Sequence, residues 1–333
     1  MNIHFLDCAL VLVRQRPCIL QIMIDPLSVT RRSVLVGIGG TMGAALLFGC
    51  GGSTSSNVAT TTSSAATTTS NTTTTTSLQN FGLGARFPDG SNMPSIFSAG
   101  SSQRAPYVLL DEEGWPASEG VPDSIDLSIS KDGNLVETVV ASRHGELGQT
   151  PYYPLIFTPA EAGYYEISLE GSEASHVLEI VDSSQLSIVQ VSDPLPAVET
   201  PTMIDPKGID PICTRFEDPC PLHELTVAEA LTRSGPIAVL VSTPGFCQSD
   251  VCGPALDLLI AEAKNLDDDW SVIHAEVYVS PNAGDFRTAP VINAFGLPFE
   301  PSLVVADSNG IITEVVHLAM DKKEIEAALK TVN

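Results

Sequence analysis

Cys247 and Cys252 stand between an apolar run, Pro236 to Val241, and a helical pattern, Ala255 to Lys264. That placement constrains the fold more than any other feature. Four residues separate the two thiols, and positions five apart on an ideal helix point away from each other. A bond between them therefore requires Cys247 to lie in the loop before the helix, where Thr243, Pro244 and Gly245 favour irregular backbone. Unpaired N–H groups and the macrodipole at a helix start favour a thiolate there.

The N-terminal part reads as an address. Arg31 and Arg32 precede an apolar, glycine-rich stretch, Val34 to Gly49, that is too short for an ordinary spanning helix and fits a signal segment. Cys50 ends it. The arginine pair resembles a twin-arginine export signal. Leu47 to Cys50 resembles a bacterial lipobox, which implies lipidation of Cys50. Residues 1–22, with Cys8 and Cys18, lie ahead of this signal, so Met23 is the expected true start. Gly51 to Ser77 is almost wholly Ser, Thr, Ala, Gly and Asn, a composition that cannot bury enough apolar surface to offset chain entropy. The expected organisation is a signal segment (1–50), a disordered tether (51–80), a first domain (81–183) and a second (186–333).

Charge supports an extracytoplasmic location. The chain carries 16 Lys and Arg against 40 Asp and Glu, a net charge of −24. An acidic surface excludes nucleic acid and electrostatic adhesion to anionic lipid. Of the seven cysteines, Cys213, Cys220, Cys247 and Cys252 fall in the second domain. In an oxidising compartment an even number suggests two disulfides. Of three connectivities, Cys213–Cys220 and Cys247–Cys252 enclose the shortest loops and are expected.

Residues 81–183 read as short strands broken by turns, the pattern of a β-sandwich. Phe157 to Tyr165 resembles the tyrosine corner of immunoglobulin-like domains. His144 and His176 stand alone, so a binding or spacer module is expected here.

Residues 186–333 change period. Candidate strands are 188–191, 236–242, 271–278, 302–306 and 311–316. Candidate helices are 226–231, 250–265, 289–295 and 321–329. Thr226 with Glu229 reads as a capping box, and Asp321 as an N-cap. Strand, helix, strand, helix, hairpin and helix in that order, with a cysteine pair after the first central strand, resemble the thioredoxin-fold superfamily. The resemblance implies that Pro301 occupies the family's cis-proline position. With Glu300 it would place substrate backbone beside the thiols. It also implies that Cys247 attacks and Cys252 resolves. The chain departs from the family in its wider cysteine spacing, in Val241 where a buried carboxylate is usual, and in Phe246 for tryptophan.

Two functions follow. One is a thiol–disulfide oxidoreductase that acts on exported proteins or with a membrane redox partner. The other is a non-catalytic envelope lipoprotein in which Cys247–Cys252 is a staple. A peroxiredoxin reading fits less well, because Pro244 stands where that family needs threonine and Glu300 and Pro301 stand where it needs arginine. His274 and His317 match no copper-chaperone loop and read as core or edge histidines. No metal and no cofactor are expected.

Overall fold

The computed structural model describes residues 77–88, 95–145, 149–216 and 218–332. All of these belong to one compact unit. Arg31, Arg32, Cys50 and nearly all of the expected tether lie outside the described residues. Among those described, no helix is long and apolar enough to cross a membrane.

The first half is antiparallel β-structure. Its strands are β1 (Gly82–Ala85), β2 (Gln103–Leu110), β3 (Ser124–Lys131), β4 (Asn134–Ser142), β5 (Tyr153–Phe157), β6 (Gly163–Leu169) and β7 (Ser175–Ile180). One sheet runs β1-β2-β5 and the other β4-β3-β6-β7. Alternation along each strand turns one set of side chains inward. Ala105, Tyr107 and Leu109 of β2 share a core with Leu127 and Ile129 of β3 and with Tyr165, Ile167 and Leu169 of β6. The Tyr165 hydroxyl, carried inside by this alternation, donates to the Glu161 carbonyl at 2.8 Å. His144 and His176 do not stand alone. The Tyr107 hydroxyl lies 3.1 Å from His176 Nδ1, and His144 Nδ1 lies 2.9 Å from the Asp321 carboxylate.

The second half is mixed α/β. It comprises α1 (Val227–Ala230), β8 (Ile237–Val241), α2 (Cys252–Ala263), β9 (Ser271–Ala275), β10 (Tyr278–Ser280), β11 (Asp285–Thr288), α3 (Pro290–Phe295), β12 (Ser302–Ala306), β13 (Ile312–His317) and α4 (Lys322–Leu329). The main sheet runs β13-β12-β8-β9, with β8 and β9 parallel and the other pairs antiparallel. Every residue of β8 is buried, because both faces of the sheet are covered. Ile237, Val239 and Val241 pack toward α1 and α3 through Val227, Ala230, Ile292 and Phe295. Ala238 and Leu240 pack toward α2 and α4 through Leu256, Leu259, Ile325 and Leu329. Thr226 and Asp321 cap α1 and α4 as their sequence predicts, each in a capping box.

Two local features differ from expectation. Residues 188–191 form no strand. The Gln190 N–H donates to the Asp193 carboxylate, and Ser192 takes a φ of +80°, so a local turn outcompetes sheet pairing. Between β9 and α3 the chain inserts the small hairpin β10–β11, where a single strand to 278 was expected.

The two halves share an interface. Arg104 of β2 donates to both oxygens of Glu324 at 2.7 and 2.9 Å and to the His317 carbonyl at 2.8 Å. The Tyr152 hydroxyl donates to the same carboxylate. Phe299 packs against the cores of both halves.

Candidate functional site

Cys247 and Cys252 form a disulfide with Cα atoms 6.1 Å apart. Cys252 is the first residue of α2 and Cys247 lies in the preceding loop, which meets the geometric condition set by their spacing. Cys252 is fully buried and Cys247 half-buried. The outer sulfur is therefore the one that a second thiol can reach.

Glu300 completes the constellation. Its carboxylate and both sulfurs lie within 4.8 Å of one another. Its carboxylate accepts the Thr243 backbone N–H, and the peptide joining it to Pro301 is cis. Burial pushes the Glu300 carboxyl up to about 7, against a smaller downward pull from the Thr243 N–H. Glu300 thus brings a half-buried carboxyl to the two sulfurs, while Val241 at the end of β8 brings none.

The first half of the chain reaches this site. Asp250, between the two cysteines, is ion-paired to Arg86 and accepts the Thr150 hydroxyl at 2.9 Å. Val251 packs against a small cluster of Val108, Tyr152 and Ala319. A cleft of about 440 Å³ opens beside Cys247, lined by Arg86 and Phe87 on one side and by Tyr278, Ile292, Phe299 and Glu300 on the other.

The second expected disulfide is absent: Cys213 and Cys220 are free, buried thiols. Both sulfurs turn toward histidines. His274 Nδ1 lies 3.7 Å from Cys213 Sγ, 3.5 Å from Cys220 Sγ and 3.3 Å from His223 Nε2. The hydrogen bond with Cys220 draws Cys213 below its usual range, helped by His223 and His274. The same bond, together with burial, raises Cys220. His274 is held neutral, first by desolvation. No local pattern announces this group, because His274 lies 51 residues from His223 in the chain. The available signal was Cys213, Cys220 and His223 at close spacing in one loop.

His317 packs edge-on against Phe299 and bonds Ser302 Oγ at 2.7 Å. It takes no part in either group.

No protein-family model matches the chain. No curated protein matches it either. Among solved structures, a thiol-disulfide isomerase from Corynebacterium glutamicum is similar over 33% of this chain and 87% of its own length, at 18% identity and a TM-score of 0.27.

Proposed function

We propose that this chain is an extracytoplasmic thiol–disulfide oxidoreductase, exported through the Arg31–Arg32 signal and anchored by lipid on Cys50, with a thioredoxin-like domain behind an immunoglobulin-like one. The observation that carries the activity is a disulfide at a helix start with one sulfur accessible, the other buried and a carboxyl of raised pKa beside both. The strand orders β1-β2-β5 and β4-β3-β6-β7, with the bonded tyrosine on β6, support the immunoglobulin-like reading.

The chemistry follows from position. A client thiolate attacks Cys247 Sγ, the Cys247–Cys252 bond breaks, and the electron pair leaves on Cys252 Sγ. Protonated Glu300 gives that sulfur its proton. A second client thiolate then attacks the client sulfur of the mixed disulfide and releases Cys247 as thiolate. The client gains a disulfide and the protein holds the two electrons, to be passed to a membrane redox partner. The same steps in reverse reduce a client disulfide, with Glu300 taking the Cys252 proton. The cleft beside Cys247 would accommodate an extended client segment, with Glu300, the residue before Pro301, in its lining.

Anchoring of Asp250 by Arg86 and Thr150 favours a second reading, in which the bond is a permanent staple. Incubating the Cys252→Ser protein, whose Cys247 is then a free thiol, with a client that carries a disulfide separates the two. A trapped Cys247 mixed disulfide, and loss of exchange in Cys247→Ser, are expected for the oxidoreductase. A native bond that resists dithiothreitol and glutathione would refute it.

A further inference from the structure

We infer that Cys213, Cys220, His223 and His274 form a structural site for a zinc ion, separate from the Cys247–Cys252 pair and independent of the function proposed for it. All four side chains are buried, the two histidines completely and the cysteines to within 5%. Their candidate ligand atoms lie within 4.8 Å of one another. A tetrahedral zinc ion takes nitrogen at about 2.0–2.1 Å and thiolate sulfur at about 2.3 Å, which places neighbouring ligands about 3.3 Å apart for two nitrogens and about 3.5 Å for nitrogen and sulfur. The separations here are 3.3 Å between His274 Nδ1 and His223 Nε2, and 3.5 and 3.7 Å from His274 Nδ1 to the sulfurs. The three separations from His274 Nδ1 thus match the edges of such a tetrahedron, and the remaining pairs lie within 4.8 Å.

The surroundings select the ligand forms. His274 Nε2 lies 3.0 Å from the Ser242 carbonyl, an acceptor only, so Nε2 carries the proton and Nδ1 turns its lone pair toward the sulfurs. A ligating histidine is commonly oriented this way by a carbonyl partner. The Cys220 backbone N–H points at Cys213 Sγ at 3.4 Å, which stabilises negative charge on that sulfur. Two thiolates and two neutral imidazoles around a divalent zinc sum to zero charge, the form that costs least in a dry interior. A monovalent copper ion would leave a net negative charge buried there. Two soft sulfurs and two imidazoles with every position filled by protein describe a structural rather than a catalytic site.

The fold explains what such an ion would hold. His274 lies on β9, at the edge of the main sheet. Its N–H donates to the Leu222 carbonyl at 2.9 Å, so the loop carrying the other three ligands runs along that edge. Among its described residues this stretch, from Ile209 to His223, has no helix or strand of its own. It is also joined to the redox loop. Thr214 Oγ1, next to Cys213, accepts the Gly245 N–H at 3.0 Å, and Ser242, which fixes His274, lies five residues before Cys247.

The test is metal analysis of the full chain purified under reducing conditions with zinc supplied. One zinc per chain is expected, retained in the Cys247→Ser, Cys252→Ser double variant and lost in Cys213→Ser, Cys220→Ser. Because the latter variant is at risk of misfolding, cobalt titration of the unaltered protein gives a second readout. It should show the visible bands of tetrahedral cobalt and a thiolate charge-transfer band that zinc abolishes. Absence of stoichiometric zinc together with absence of these cobalt bands overturns the inference. So does a Cys213–Cys220 disulfide found by mass spectrometry in protein purified with zinc under reducing conditions.

Discussion

Glu300 brings to both sulfurs a carboxyl that β8 does not supply. Its pKa is shifted up to about 7 by burial, and in the proposed exchange it would pass a proton to Cys252 or take one from it. Thiol exchange should show an inflection near pH 7. Glu300→Gln should remove that inflection and slow exchange by about 100-fold or more, as measured by stopped-flow fluorescence. Stability follows with a defined sign. The folded pKa exceeds the ordinary value of 4.5, so the folded state binds the extra proton, and its contribution fades as pH rises from 4.5 to about 7. Denaturant titrations of Glu300→Gln should lack that decline. At this scale the sequence was half legible. The position of Cys247 and Cys252 follows from one strand and one helix, because both flank the thiols directly. The approach of Glu300 to the sulfurs and of His274 to Cys213 depends on sheet order, which no local pattern encodes.

Elements whose pattern is continuous were readable, and those set by local competition were not. Strand β8, all apolar, strand β12, apolar after Ser302, and helices α1 and α4, each with a capping box, lie within a residue or so of their predicted bounds. The run 188–191 has strand composition but is diverted by Asp193. The β10–β11 hairpin interrupts what reads as one strand. Helix α3 ends at Gly296, whose φ is +64° and whose added Cβ would fall 2.0 Å from the Ser187 carbonyl oxygen. Gly296→Ala combines backbone strain with a backbone clash. It should lower stability by at least about 2 kcal/mol in chemical denaturation, and should disturb the Leu297–Pro301 segment that follows. Tyr165→Phe removes only the bond to Glu161 and should cost about 1 kcal/mol.

On the scale of the molecule, the two halves are coupled by charge in a partly dry interface. Arg104 and Glu324 are 14% and 13% exposed, and the guanidinium also binds carbonyls of the β13–α4 connection. Arg104→Ala would leave Glu324 with Tyr152 and His144 as its remaining partners from the first half. The expected loss is about 3 kcal/mol. Calorimetry should show one unfolding transition in the parent chain and two in the variant, because the halves then unfold separately. A single unchanged transition would mean that apolar packing alone couples them. The sequence reading treated these as independent modules, since cross-contacts such as Arg104 to Glu324 span 220 residues and leave no local trace.

Phe299 packs against both cores and also lines the cleft at Cys247, while Arg86 and Phe87 line it from the first half. The entrance to the Cys247 sulfur is therefore a vestibule with two owners. Transplanting the C-terminal half alone would carry the disulfide without its doorway, and any client preference in the proposed exchange would have to be rebuilt from the missing wall.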